Sequence, residues 1–175
     1  PKARGLDMDV IAYDPYLSDD LFDDLEVERV SFDELLARSD CVSIHTPLTA
    51  ETHQLFSTAE FEAMKETAVL VNTARGPIVD EQALVDAVEN GVIWSAGIDV
   101  FEVEPPNDTP ALGCDRIVCS PHHGGSSNQS QKRALEMTRA ELRRVLTGEH
   151  PQNVVNPGAL QYTDEQLNPE RHRWD

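Results

Sequence analysis

Three polar residues that could act on an organic acid each follow a short apolar run of the sequence. Arg75 comes after the run 68–71. Glu104 comes after the run 94–100, in an acidic stretch that ends in prolines, and His122 comes after the run 116–119 and before the pair Gly124-Gly125. An arginine can hold a carboxylate through two parallel hydrogen bonds. A carboxylate bonded to an imidazole favours the protonated ring and fixes its tautomer, as general acid catalysis requires. If the three side chains meet, the sequence predicts a site that binds an organic acid and exchanges a proton with it.

Each of these residues also has a plainer interpretation. Arg75 could be a surface arginine in a Gly-Pro turn, Glu104 a solvated carboxylate, and His122 an ordinary loop histidine. A metal site would need His45 and a cysteine in addition to the adjacent pair His122-His123. That pair would need an unusual backbone to point both rings at one ion, and no His-Glu-x-x-His pattern supports such a site. The sequence therefore disfavours a metal.

Asp14 is a fourth residue with a possible chemical role, because it directly follows the strand-like run 8–13. In a dinucleotide-binding sheet, an acidic residue at the end of the second strand binds the ribose hydroxyls and repels a 2′-phosphate. The pair Asp14-Pro15 is also typical of a turn that ends a strand. The glycine-rich phosphate loop expected upstream is absent, since a lone Gly5 precedes Asp14. Both interpretations stay open.

The elements that must position these residues alternate along the chain. Capping boxes at 31–34 and 57–60 predict two helices, and apolar spacing predicts a third over 80–90 with Gly91 as its stop. The longest helix is expected over about 128–146, with Gly148 after it. The strand-like runs are 8–13, 41–44, 68–71, 94–100 and 116–119. Residues 1–5 resemble a helix end stopped by glycine, and we expect the aspartate-rich stretch 18–24 and the proline-rich stretch 105–110 to be loops. This alternation predicts an α/β fold with a doubly wound parallel sheet.

Charge is the extreme feature of the composition. The 175 residues include 32 acidic and 14 basic ones, a net charge of −18, spread along the chain. This balance argues against nucleic acids and anionic membranes as partners, because phosphate binding needs clustered positive charge. It favours a halophilic source whose salt-rich cytoplasm screens the repulsion. No membrane-length apolar segment or signal peptide is visible.

The cysteines support the same cellular location. Cys41, Cys114 and Cys119 are odd in number and lack Cys-x-x-Cys spacing, and two of them lie in apolar strand-like runs. We expect reduced thiols in the core of a cytoplasmic protein.

Several strings of the sequence together resemble one family. They are YDPY (13–16), SDCVSIHTPL (39–48), LVNTARG (70–76), GIDVFEVEP (97–105) and SPHHGG (120–125). In order and spacing they are similar to the NAD-binding domain of the D-isomer-specific 2-hydroxyacid dehydrogenases, over about residues 8–157. The NAD-binding C-terminal-binding-protein corepressors share this likeness. The resemblance implies a Rossmann-like sheet that is incomplete at its N-terminal βα unit, which would carry the glycine-rich loop. Residues 1–150 would be a partial NAD-binding domain, and 151–175 a tail returning toward an absent substrate-binding domain.

The resemblance also implies a role for each site residue. His122 would be the acid/base, Glu104 would orient it, and Arg75 would bind the substrate carboxylate and polarise its carbonyl. Asp14 would bind the adenosine ribose, and Asp99 would contact the nicotinamide carboxamide. The remaining residues that would line NAD are Thr46, Pro47, Thr52, Thr73, Ala74, Gly124 and Gly125. His123 departs from the family pattern and receives no role.

These implied roles describe an enzyme that transfers a hydride between NAD(H) and the C2 carbon of a D-2-hydroxy acid or 2-oxo acid. The full-length protein would be a homodimer that acts on a small acid. The alternative is a non-catalytic NAD-sensing or assembly module of the corepressor type. The Arg/Glu/His set favours the enzyme, because a pure binder has no need of an acid/base pair.

Overall fold

The computed structural model describes residues 2–156 and residue 158. The chain divides into two compact units, one ending at Gly124 and the other beginning at Gly125. Most of the tail predicted over 151–175, including Leu160, which we expected to pack, lies outside the described residues. The boundary near residue 150 stays a prediction.

The first unit is built from short strands alternating with short helices, as the sequence predicts. Its strands are β1 (Ile11–Ala12), β2 (Glu28–Arg29), β3 (Cys41–Ile44), β4 (Val69–Asn72), β5 (Ser95–Ile98) and β6 (Ile117–Cys119). Its helices are α1 (Asp19–Asp24), α2 (Phe32–Arg38), α3 (Thr58–Ala63) and α4 (Glu81–Glu89), with 3₁₀ turns at Arg4–Leu6, Gly76–Ile78 and Pro110–Gly113. The second unit contains α5 (Asn128–Leu146), with the bounds that the sequence predicts.

All strand pairs are parallel. Strands β3, β4, β5 and β6 form one sheet in that order, and β1 pairs with β2 in a separate ladder. Because the four strands run the same way, the residues that follow them emerge at one edge of the sheet, where ligands bind in open α/β folds. The α/β fold with a parallel sheet is confirmed. Within the described residues no ladder joins β1 to β3, and the missing N-terminal βα unit stays a prediction.

The hydrophobic core lies between this sheet and the helices. Leu70 at the centre of β4 is fully buried, and so are Phe61 of α3 and Leu84 of α4. Burying side chains of this size contributes about 1.5–3 kcal/mol each. The packed core therefore supports the sheet from whose edge the loops after the strands emerge.

The helix starts predicted from capping boxes are confirmed. The Ser31 hydroxyl accepts a hydrogen bond from the Glu34 main-chain N–H at 3.2 Å, and the Glu34 carboxylate accepts one from the Ser31 N–H at 3.0 Å. At α3 the Glu60 carboxylate accepts from the Ser57 N–H at 3.0 Å. These bonds satisfy main-chain donors that helix formation leaves unpaired. Gly91, just after α4, has the left-handed φ of 74° that suits a helix stop.

Two expectations about local structure are wrong. The aspartate-rich stretch 18–24 contains α1, because Asp19 and Asp20 lie in the first turn of the helix, where its dipole favours acids, and Phe22 is buried. Residues Arg4–Leu6 form a 3₁₀ turn that includes Gly5, and the left-handed residue after it is Asp7. The proline-rich stretch is irregular over 105–109, as expected, and its last residue begins the 3₁₀ turn Pro110–Gly113.

The cysteines differ in burial. Cys114 is buried and Cys119 is half-buried, but Cys41 is exposed, so the expectation of a core thiol is wrong for that residue. Burial alternates along β3, which turns Val42 and Ile44 inward and Cys41 outward. All three thiols are free. None of the helices in the described part of the chain has both the length and the apolarity to cross a membrane.

Candidate active site

The loop that carries Arg75 is shaped by Asn72, the last residue of β4. The side chain of Asn72 is buried; its amide donates to the Arg75 carbonyl at 3.0 Å, and its oxygen accepts from the Ala74 N–H at 3.0 Å. These bonds fold the chain tightly after the strand and leave Arg75 exposed. Its guanidinium donates to the Ala74 carbonyl at 2.6 Å.

Gly76 brings this loop against the segment that follows β5. A Cβ on Gly76 would overlap the main-chain carbonyl of Phe101, so only glycine permits this approach. Phe101 is buried, and its N–H donates to Oε1 of Glu104 at 3.3 Å. The Arg75 loop and the Glu104 segment are therefore packed backbone to backbone.

Glu104 and His122 are in direct contact. Oε2 of Glu104 lies 2.8 Å from Nδ1 of His122, and both side chains are partly exposed. The hydrogen bond from His122 lowers the pKa of Glu104, helped by the Phe101 N–H and the charge of Arg75, while burial opposes it. An ionised carboxylate only accepts, so Nδ1 of His122 is the donor. This leaves Nε2 as the ring nitrogen that can exchange a proton with a ligand.

His122 itself has a left-handed backbone with φ of 53°. A non-glycine residue there is strained by about 1–3 kcal/mol, a cost that is met at functional sites. Its N–H donates to the carbonyl of Asp99 at 2.8 Å and to that of Ser120 at 3.1 Å. The conformation that turns the ring toward Glu104 is thus held by the ends of β5 and β6.

Asp99 organises the same loop through its side chain. Its buried carboxylate accepts from the Ser120 hydroxyl at 2.5 Å, from the His123 N–H at 2.8 Å and from the Gly124 N–H at 2.7 Å. The Ser120 bond lowers the pKa of Asp99, with the two main-chain donors adding to it against the effect of burial. Both carboxylate oxygens are engaged by protein donors. The implied contact between Asp99 and a nicotinamide carboxamide stays a prediction.

Sequence reasoning missed the loop-shaping roles of Asn72, Asp99 and Ser120. The register of β5 and β6 explains why two of them meet. Ile98 pairs with Cys119, so the next residues along the strands, Asp99 and Ser120, lie side by side. That register is legible only once β5 and β6 are known to be neighbours.

The Glu104–His122 pair borders an open pocket. About 350 Å³ of space lies among Phe101, Glu104, Pro105, Pro106, Pro121 and His122. The structure thus brings Glu104 and His122 together, and it places the Arg75 loop against the Glu104 segment without a hydrogen bond from its guanidinium to either, among the described residues. Within those residues no grouping of His, Cys, Asp and Glu could hold a metal.

The residues expected to bind a dinucleotide follow the strands of the first unit. Asp14 follows β1, and its Oδ1 accepts from the Tyr16 N–H at 2.8 Å and the Leu17 N–H at 3.3 Å. This is the strand-ending turn that Asp-Pro favours, and ribose binding by Asp14 stays a prediction. Thr46 and Pro47 lie just beyond β3.

The other predicted NAD residues are similarly placed. Thr52 donates to the carbonyl of Pro47 at 2.6 Å and so closes the turn after β3. Exposed Thr73 and half-buried Ala74 follow β4. Gly124 ends the first unit. Gly125 begins the second, and its carbonyl accepts from the Ser130 hydroxyl at 2.6 Å.

This arrangement fits part of an NAD site. Asp14 places a carboxylate just after the parallel strand β1, as the ribose-binding acid of a dinucleotide fold follows its second strand, and small or hydroxylated residues follow β3 and β4. A Cβ on Gly124 would come within 2.9 Å of the Asp99 carboxylate, so the glycine keeps that loop close to the strand ends. The residues after β3 and β4 suit a ligand at the carboxyl edge of the four-stranded sheet, while Asp14 follows a strand of the separate β1–β2 ladder.

Comparison with known proteins gives one family. The model of the NAD-binding domain of D-isomer specific 2-hydroxyacid dehydrogenases matches residues 1–124. D-3-phosphoglycerate dehydrogenase of Methanocaldococcus jannaschii is 39% identical over 156 residues, which cover 89% of this chain and 30% of that protein. Glyoxylate reductase of Korarchaeum cryptofilum is 42% identical over 156 residues, covering 89% of this chain and 47% of that protein.

A solved structure supports the same fold. The TT0316 protein of Thermus thermophilus superimposes with a TM-score of 0.81 at 37% identity, covering 88% of this chain and 48% of that one. The chain therefore spans less than half the length of each of these three relatives.

Proposed function

The chain belongs to the D-isomer specific 2-hydroxyacid dehydrogenase family, as its NAD-binding domain, and we propose that the full-length protein interconverts a D-2-hydroxy acid and its 2-oxo acid with NAD(H). The observation that carries this proposal is the 2.8 Å contact between Glu104 and His122 beside an open pocket. Such a pair suits a reaction in which one proton accompanies each hydride.

When bound, NADH would supply the hydride to C2 of the 2-oxo acid. His122 would donate the proton on Nε2 to the 2-oxo oxygen, and in the reverse direction Nε2 would take the hydroxyl proton. Glu104, kept ionised by its hydrogen bond from His122, would stabilise the protonated ring. Arg75 would turn its exposed guanidinium from the Ala74 carbonyl to the substrate carboxylate.

The residues after β1, β3 and β4 would hold the dinucleotide. Asp14 would accept hydrogen bonds from the adenosine ribose and exclude a 2′-phosphate, which favours NAD over NADP. Thr46, Pro47, Thr52, Thr73 and Ala74 would line the cofactor, together with Gly124 and Gly125. Asp99 would contact the nicotinamide carboxamide.

The setting of the protein is part of the proposal. The net charge of −18 favours a salt-rich cytoplasm, where added ions screen repulsion among the acidic residues. The full-length protein would be a homodimer with a small 2-oxo or 2-hydroxy acid as its substrate, and it would bind neither nucleic acid nor membranes.

A turnover assay tests the proposal. Full-length protein in high salt is mixed with NADH and glyoxylate, hydroxypyruvate, pyruvate or 3-phosphohydroxypyruvate, and NADH oxidation is followed. We expect at least one acid to be reduced, and His122→Ala to lower the rate about 100-fold or more with NADH affinity nearly unchanged. His123→Ala, at the exposed neighbour, is the matched control. NADH binding without oxidation of any acid would favour the NAD-sensing module instead.

A further inference from the structure

Glu81 and Glu102 each accept a hydrogen bond from the main chain of the other. The N–H of Glu81, in the first turn of α4, donates to Oε1 of Glu102 at 3.0 Å. The N–H of Glu102 donates to Oε2 of Glu81 at 3.2 Å. Each carboxylate thus accepts a hydrogen bond from the main-chain N–H of the other glutamate. This pair of bonds ties the start of α4 to the segment after β5. We call this arrangement the glutamate brace.

Glu81 is an unusual residue for such a contact because it is buried, with 8% of its surface exposed. Its second oxygen, Oε1, has no hydrogen-bond partner among the described residues. The carboxyl borders a cavity of about 10 Å³ that Asn72, Gly76 and Ile98 also line. Burial raises the pKa of Glu81, as does the nearby charge of Glu102, while the Glu102 N–H opposes them. A surface carboxylate would bind the same N–H without this cost.

The brace acts on the segment that ends in Glu104. Glu102 is held by Glu81, the preceding Phe101 carbonyl packs against Gly76, and the Phe101 N–H donates to Glu104. The carbonyl and the N–H of the Phe101–Glu102 peptide, two residues before Glu104, are thus both held in place. Among the described residues, neither glutamate of the brace has a hydrogen bond to His122.

We propose that Glu81 is a positioning residue: by holding the main chain of Glu102, it sets the position from which Glu104 meets His122. The proposal rests on the proposed function of the Glu104–His122 pair. The proposal explains why the carboxyl of Glu81 is buried. Helix α4 does not need this carboxyl as an N-cap, because Asp80 already accepts a hydrogen bond from the Ala83 N–H at 3.0 Å.

The test measures the pKa of Glu104, which reports its hydrogen bond with His122. In the full-length protein labelled with ¹³C, NMR titration of the Glu104 carboxyl reports the lowered pKa that its bond with His122 produces. We expect Glu81→Ala to move this pKa up toward its ordinary value and to lower kcat by up to about 100-fold, with KM less affected. Glu81→Gln keeps an acceptor for the Glu102 N–H and should restore both values. Glu89→Ala, at the exposed far end of α4, is the control.

An unchanged Glu104 pKa in a folded Glu81→Ala variant would overturn the proposal. If that variant does not fold, Glu81→Asp, which withdraws the carboxyl from Glu102 by one methylene, is measured in the same way. Unfolding of both variants would assign the brace to fold stability alone and would also overturn it. The NMR result does not depend on turnover: a shifted Glu104 pKa in a protein that reduces no 2-oxo acid would retain the brace and refute the proposed function.

Discussion

The carboxylate of Glu104 and the ring of His122 meet at 2.8 Å although the two residues follow different strands. Glu104 belongs to the segment after β5, and His122 to the loop after β6. Each partner is positioned by main-chain hydrogen bonds of its own, from Phe101 in one case and to Asp99 in the other. The contact therefore depends on the parallel pairing of β5 and β6 more than on any local sequence.

Replacing Glu104 by glutamine tests the electrostatic part of this contact. Glutamine can still bond Nδ1 of His122, but it lacks the negative charge that stabilises the protonated ring. We expect kcat for 2-oxo acid reduction by the full-length protein to fall about 100-fold, with NADH affinity nearly unchanged. Steady-state kinetics and fluorescence titration with NADH measure the two quantities. Asp108→Asn, an exposed acid nearby in the chain, should leave both unchanged, and an equal effect of the two variants would refute the role of Glu104.

Replacing Asp99 by asparagine tests the carboxylate that holds the His122 loop. An amide in its place directs an N–H at one of the loop's own donors, so we expect the free energy of unfolding at pH 7 to fall by about 1–3 kcal/mol. The pKa of Asp99 is lowered in the folded state, so its stabilisation is present above its ordinary value of 3.8 and is lost as the pH falls through the folded value.

The difference between wild type and Asp99→Asn should therefore shrink below about pH 4. Denaturant unfolding of this chain at a series of pH values measures it. Asp115→Asn, at an exposed aspartate before β6, controls for the loss of one carboxylate. A difference that stays constant down to pH 3 would contradict the assignment.

Much of the fold is legible in the sequence because its signals are local. A capping box acts within four residues, so α2 and α3 could be predicted from Ser31 and Ser57. The end of α5 is marked locally by Gly148, whose left-handed φ of 76° suits a helix stop. Helix α1 was missed because its aspartates resemble a solvated loop, while the burial of Phe22 that fixes it comes from tertiary packing. Strand β2 is a polar, exposed pair and carries no strand pattern of its own.

The site was predictable in part for the same reason. The types and order of Arg75, Glu104 and His122 stand in the sequence, and the structure joins the last two. The residues that position them, such as Asn72 and Glu81, act across strand ends or through burial. Both are polar side chains that local patterning assigns to the surface, and only the packed sheet shows why they are inside.

Replacing Gly76 by alanine tests the packing of the Arg75 loop against Phe101. The added methyl group would overlap a main-chain carbonyl, which cannot rotate away as a side chain can. We expect a loss of about 1–3 kcal/mol in the free energy of unfolding, as in other overpacked sites. Gly113→Ala is the matched control, because nothing lies within 4 Å of a Cβ there. Denaturant unfolding compares the two, and equal losses would show that the Gly76 contact is not constraining.

Salt dependence tests the interpretation of the net charge. At −18 the folded chain repels itself, and raising the salt from 0.1 M to 1 M shortens the screening length from about 10 Å to about 3 Å. We expect the free energy of unfolding to rise over that range in KCl, and to rise less in sucrose of equal osmolality.

The double variant Asp23→Asn/Asp24→Asn removes two acids from the C-terminal end of α1, where the helix dipole disfavours them. It should stabilise the chain in low salt and have little effect in molar salt. Equal stability of the wild type at both salt concentrations would refute adaptation to a salt-rich cytoplasm.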